Sequence, residues 1–294
     1  MTSPDIQAAE RFLAANARVL EKRRFERLFA GGEAAPVRDA VAAYRNRDGG
    51  FGHALEPDTR CPGSQPLATD FALRALLDTD AWDAALAEGA SSWLAATAPA
   101  GGGAVFVNES VKGWPHAPWM VPEDGEPASL TCTGLLAGTL YAAAPRHAAP
   151  EADPWLQQAT GLIWSRIDAL TTSNPYEIRG LLWFLDNVPD RERAQAAVAK
   201  IGPMIFDQEM VALDPATPGE VHFPLDFAPL PGSIARPLFD PQVIEANLDH
   251  LAAAQLDDGG WMFNWMAWSP AAERDWRGHV TVDALRVLRA NGRC

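Results

Sequence analysis

The string GHALEPD, residues 52–58, places one histidine and two carboxylates, His53, Glu56 and Asp58, within six residues. Partial burial raises a carboxyl pKa and a neighbouring imidazole can hold or shuttle the proton, so this composition suits general acid–base work. The same side chains could equally serve structure, with Glu56 and Asp58 capping loops or the next helix and His53 bracing the turn before it. Asp70, twelve residues beyond Asp58, is a further candidate acid. Glu177 stands between Tyr176 and Arg179 on a second segment. An arginine partner would lower its acidity and make it a base or binding group, whereas a first-turn glutamate also favours the helix dipole.

Aromatic residues form the other chemical signal. Trp114, Trp119, Trp261, Trp265, Trp268 and Trp276 are six of the 11 tryptophans. Such rings stabilise a carbocation through the ring quadrupole, stack on sugars, or simply fill a core. Within WMFNWMAW, residues 261–268, three tryptophans fall at offsets of four and three, which predicts one aromatic face of a helical segment. His116, His222, Asp226, Asn264, His279 and Asp283 complete the polar set.

These groups must be held by a repeated scaffold. RNRDGGF, residues 45–51, recurs as QLDDGGW, residues 255–261. Thr69 is followed by Ala72, Leu73, Arg74 and Leu76, and Thr281 by Ala284, Leu285, Arg286 and Leu288, at the same offsets. A small residue and leucines at three, four and seven form one helical face. Thr131 with Gly134 and Leu135, and Glu177 with Gly180 and Leu181, fit the helix half without its turn, at a unit of about 50 residues. The repeat aligns Thr69, Thr131, Glu177 and Thr281 as equivalent positions, and Glu177 is the exception among them. The remaining pattern predicts helices over 4–30, 36–44, 81–96, 129–143, 154–170, 175–187, 191–201, 241–255 and 279–290, with a short hairpin edge at 104–107. The expected class is all-α with long loops, and loops of that length in a compact domain usually carry function.

Composition narrows the partners. A formal charge of −14 offers no basic surface for a phosphate backbone, and Lys22-Arg23-Arg24 reads as the solvated face of a helix. Three scattered cysteines do not make a disulfide framework, which points to a reducing compartment. No stretch approaches 18 uncharged apolar residues, so no integral membrane segment is expected and the location is read as cytoplasmic. With no linker evident, residues 1–294 are expected to form a single domain, and the oligomeric state stays open.

The form Q-x-x-D-G-G-W, followed by a loop and a T-x-x-A-L-x-x-L helix, resembles the repeat of squalene-hopene cyclases, other class II terpene cyclases and protein prenyltransferase β-subunits. The resemblance covers residues 45–76 and 254–288 and is architectural elsewhere. It implies an α/α toroid of five to six helical hairpins, with long loops meeting at one rim of a central cavity. The family's catalytic strings are absent. The nearest runs to the class II acid motif are Asp78-Thr79-Asp80 and Asp257-Asp258, and Leu130 stands where a prenyltransferase places its zinc aspartate before Cys132, with His279 as the later histidine. No metal or other cofactor is therefore expected.

The resemblance brings all these candidates to one rim. Glu177, Glu56, Asp58, His53 and Asp70 are the expected catalytic groups. Trp114, His116, Trp119, Tyr176, Arg179, His222, Asp226, Trp261, Asn264, Trp265, Trp268, Trp276, His279 and Asp283 are the expected substrate-binding groups. The expected activity is metal-free acid–base or carbocation chemistry on a hydrophobic, terpenoid-like or polyketide-like molecule, such as cyclisation, isomerisation or hydration. A carbohydrate-active toroid using two carboxylates and a non-catalytic ligand- or protein-binding toroid are the alternatives.

Overall fold

The computed structural model describes residues 3–122, 125, 127–147 and 152–294. Among these residues regular structure is helical, with only isolated β-bridges and no named strand, so the expected hairpin edge at 104–107 is absent. None of the described helices is long and apolar enough to cross a membrane. The chain divides into two compact units, one of residues 34–201 and one of residues 1–33 with 202–294.

The unit of residues 34–201 holds α3 (Ala35–Ala42), α4 (Pro66–Asp78), α5 (Ala84–Thr97), α6 (Leu130–His147), α7 (Pro154–Ala169), α8 (Pro175–Asn187) and most of α9 (Arg191–Phe206). Helix α6 packs between α4 and α8, and α5 and α7 pair with each other while touching α4 and α6 in turn. The small residue at the repeat's third offset explains this closeness. A Cβ on Gly134 would lie 2.5 Å from the Gly180 carbonyl oxygen, and one on Gly180 would lie 2.7 Å from that of Thr131. Helices α6 and α8 thus meet backbone to backbone.

The unit of residues 1–33 and 202–294 holds α1 (Ile6–Asn16), α2 (Val19–Phe29), α10 (Pro224–Phe227), α11 (Pro241–Ala253) and α12 (Pro270–Ala290), with α12 packed on α1, α2 and α11. The single helix expected over 4–30 is broken at Ala17, where extended backbone ends α1 and the Asn16 amide caps the Phe12 carbonyl. Helix α12 starts at Pro270, not at 279. Ser269 accepts the Ala272 N–H and proline follows at the first helical position, a start signal that the tryptophan pattern obscured.

The diglycine turns are built alike. In each, the aspartate accepts from the second glycine's N–H at 3.0 Å, Asp48 from Gly50 and Asp258 from Gly260. The repeat's threonine then closes the unit. Thr69 accepts the Phe51 N–H and donates to the Gln65 carbonyl, and Thr281 accepts from Trp261 at 3.0 Å and donates to Arg277. Thr133 likewise accepts the Ala104 N–H, at 3.0 Å, though its hydroxyl donates back to the Ala104 carbonyl, after a turn made by Gly101, Gly102 and Gly103. This is a third copy of the turn, and it corrects the register: the latch on α6 is Thr133 rather than Thr131. Glu177 accepts from the Ser173 hydroxyl instead of from a turn's backbone N–H, so it does not make the latch that Thr69 and Thr281 make.

Thr281 is fully buried. Its replacement by valine leaves the Trp261 N–H without an acceptor, and the expected loss is about 1–3 kcal/mol of unfolding free energy. Urea denaturation checks it, with Thr281→Ser as control. A serine variant as unstable as the valine would show that the methyl group, not the hydroxyl, carries the effect.

Candidate active site

In the unit of residues 34–201 two loops carry most of the expected chemistry. The segment before α4 is buried almost throughout, with Glu56 at 2% and Asp58 at 7% exposure. It pairs with the segment around His116. The Arg60 N–H donates to the Pro115 carbonyl at 2.8 Å, the Ala117 N–H donates to that of Asp58 at 2.7 Å, and Thr59 bridges to His116. One Glu56 carboxylate oxygen accepts the Asp58 N–H, which folds the loop on itself. Trp119 Nε1 donates to Asp58 Oδ2 at 3.0 Å, so a buried carboxylate holds an aromatic ring that is 39% exposed. Trp114 is 48% exposed, and its carbonyl lies 2.7 Å from His116 Nδ1. Glu56, Asp58, Trp114, His116 and Trp119, expected from two separate repeats, are therefore brought together.

The other candidates of this unit have different surroundings. His53 sits at φ 55°, next to Ala54 at φ 60°, and its Nε2 is 3.0 Å from Asn46 Oδ1. Asn46 in turn donates to Pro62 and Ser64, so His53 braces the diglycine turn. Asp70, on α4, accepts from Thr139 of α6 at 3.2 Å, and Trp183 of α8 donates to the same hydroxyl at 3.1 Å. That chain joins three helices, with Arg74 stacked over Trp183 at 4.7 Å. Glu177 accepts from Ser173 at 2.9 Å in the first turn of α8, while Asn174 caps its N–H. The expected pairing with Arg179 is replaced by that hydroxyl. Tyr176 beside it is exposed and Arg179 half-buried. A shallow depression of about 570 Å³ beside Trp164 and Arg193 contains none of these groups.

In the unit of residues 1–33 and 202–294, Trp276, His279 and Asp283 lie along the middle of α12. The His279 position is thus a correction to the expected helix start. Trp276 meets Trp265 edge-on at 5.0 Å, Phe263 stacks beside Trp265 at 4.6 Å, and His279 lies 5.7 Å from Trp276. Arg24 of α2 reaches His279 Nδ1 at 3.3 Å and Asp283 at 2.7 Å, and His279 Nε2 is 3.2 Å from Asp283. A guanidinium only donates, so Nδ1 must accept, and Nε2 carries the hydrogen that goes to the carboxylate. Both nitrogens of His279 are engaged. Burial would raise the Asp283 carboxyl, but His279, Arg24 and Arg286 beside it hold it well below the ordinary value.

Of the basic run on α2, Lys22 and Arg23 are half-exposed while Arg24 is buried, as is Glu21 before it, so the solvated-face reading fails at Arg24. Burial pushes the Glu21 carboxyl up, yet Arg18, bound through both oxygens at 2.6 and 3.1 Å, outweighs it and lowers the pKa.

The helical aromatic face expected over 261–268 is absent, because this segment is irregular. Trp261 is core, with its indole donating to the Leu251 carbonyl at 2.8 Å. Trp265 joins the α12 cluster, and Trp268 is half-buried just before the Ser269 cap. Asp226 caps the Phe223 N–H, Asn264 donates to the Val221 carbonyl, and buried His222 exchanges backbone hydrogen bonds with Met210 and Ala212. These three secure loops. Among the described residues no three His, Cys, Asp or Glu side chains are grouped to hold a metal ion. Cys132 is buried, with its sulfur 3.8 Å from the Phe106 carbonyl.

No protein-family model matches this chain, and no curated protein matches it. Among solved structures, a protein from Actinoplanes known from its crystal structure is similar over 98% of this chain and 89% of its own, at 16% sequence identity and a TM-score of 0.54. That likeness concerns the fold alone.

Proposed function

We propose that the chain is an enzyme that binds a hydrophobic, terpenoid-like small molecule against Trp114 and Trp119 and works on it by metal-free acid–base chemistry. The observation that carries this reading is the buried Asp58 carboxylate bound to the edge of the half-exposed Trp119 ring through the indole N–H. An apolar face beside a sheltered carboxylate joins the two things such chemistry needs, a surface for the substrate and a proton-transfer group. Glu56 is the supporting carboxylate of the same loop. Glu177, Asp70 and the α12 cluster are assigned to holding helices and loops.

The α/α toroid belongs to the same proposal. Its support is the way each diglycine turn lies on a helix. Gly49 lies against Gly89 of α5, Gly102 against Gln158 of α7, and Gly259, late in the chain, against Ala8 of α1 at its beginning. A series that returns to its first helix is the connectivity a closed ring requires.

Mass spectrometry of molecules released from the purified protein tests the function. Wild type is expected to carry a hydrophobic terpenoid-like ligand, and Trp119→Ala to lose it. Asp58→Asn is expected to keep the ligand while turnover drops on the order of 10²-fold or more. Retention by Trp119→Ala, or undiminished turnover by Asp58→Asn, would sink this reading. Exposed rings also stack on sugars, and release of an oligosaccharide instead would establish the carbohydrate-active alternative.

A further inference from the structure

The histidine of the Trp114–Trp119 patch has hydrogen-bonding capacity to spare. His116 Nδ1 lies 2.7 Å from the Trp114 carbonyl oxygen. A carbonyl only accepts, so Nδ1 carries the hydrogen, and in the neutral ring Nε2 is left with its lone pair. Among the described residues no group bonds that nitrogen. His279, by contrast, has both nitrogens engaged, and the Nε2 of His53 faces Asn46. The backbone bonds on either side, Arg60 to Pro115 and Ala117 to Asp58, fix the chain that carries the ring. His116 is thus held in one tautomer, on a pinned segment, between two half-exposed tryptophans.

Resting on the function proposed above, we infer that His116 is the general base of this site and that the substrate is a hydrophobic molecule bearing an ionisable O–H group. The substrate O–H bond breaks with its electron pair staying on oxygen, and the proton forms the Nε2–H bond of an imidazolium. Nδ1–H keeps its bond to Trp114 throughout, so the ring need not reorient. Trp114 and Trp119 supply the apolar contact, and the lone pair selects for a donor.

The test uses the full chain with farnesol and farnesyl methyl ether as probes, the second lacking a hydroxyl proton. Nitrogen NMR of wild type is expected to show the Nδ1–H tautomer at His116, and diethyl pyrocarbonate to acylate it at Nε2. His116→Asn keeps a side-chain N–H for the Trp114 carbonyl but leaves no acceptor at the Nε2 position. Tryptophan quenching should then show farnesol binding about tenfold weaker, the worth of one hydrogen bond, with the ether unaffected. An Nε2–H tautomer, an unreactive His116, or equal weakening of both probes would overturn the proposal. If neither probe binds wild type, the hydrophobic-substrate reading fails instead, and the tautomer and acylation still decide whether Nε2 is the open base.

Discussion

Replacing Gly259 with alanine is expected to destabilise the protein by on the order of 3–5 kcal/mol, combining backbone strain with overpacking. Gly259 has φ 93°, and a Cβ there would lie 2.2 Å from the Ala8 carbonyl oxygen and 2.4 Å from its carbon. Neither contact can be relieved by a side-chain rotation, because both atoms belong to the backbone of α1. The turn is also tied down from other directions. Gln255 exchanges two hydrogen bonds with the Asp5 backbone at 2.7 and 2.8 Å, and Arg277 grips Asp258 through both oxygens while lying over the Phe12 ring. Gly31→Ala is the control, since its φ is 70° but nothing lies within 4 Å of a Cβ. It should cost only about 1–2 kcal/mol. Urea unfolding of the two variants measures the difference, and equal losses would show that backbone conformation, not contact with α1, fixes the glycine.

The second large effect is expected at Arg18. Arg18→Ala leaves Glu21, 1% exposed, without the guanidinium that binds both its oxygens, and stranding a buried charge costs about 3 kcal/mol or more. The paired change Arg18→Met with Glu21→Leu removes both charges and should recover most of that loss. The pH dependence separates these cases further. The folded pKa of Glu21 lies below its unfolded value near 4.3. Its contribution is therefore fully present above about pH 4.3 and is lost as the pH falls through the folded value. Wild type should show this acid loss, with a parallel one from Asp283, whose carboxyl is also held low. The double variant should keep only the Asp283 part. Thermal melts between pH 3 and 7 measure it, and an unchanged acid slope in the double variant would refute the role of the pair.

What could be read in advance was whatever the chain states locally. Asp48 and Asp258 bond within their own turns, so both turns were visible as strings. Gly134 and Gly180 showed in the offsets because a helix crossing needs a small residue at that place. The third turn escaped because Gly101 and Ala104 stand where the other copies have an aspartate and an aromatic ring. The burial of Glu21 and Arg24 escaped for a different reason. A charge run on a helix does not declare its face, and the Asp283 partner of Arg24 is 259 residues away. In WMFNWMAW the offsets mimic a helix, while Ser269-Pro270 places the true start later. At the site, GHALEPD and the Trp114–Trp119 segment were each legible. Their union depends on backbone pairing between positions 59 and 116, which no side-chain pattern announces.

The clasp between Gln255 and Asp5 joins positions 250 residues apart. During synthesis, residues 34–201 form a continuous stretch that can begin to pack soon after it emerges. Helices α1 and α2 are made well before α12, against which both pack. The apolar side of α1, Phe12 and Leu13, must wait until α12 has been made. Long-range closure of this kind slows folding and prolongs the exposure of sticky surface. The segment of α1 and α2 is thus satisfied only after α12 has been made, and its vulnerability to aggregation or proteolysis is set by the time the ribosome takes to reach residue 290.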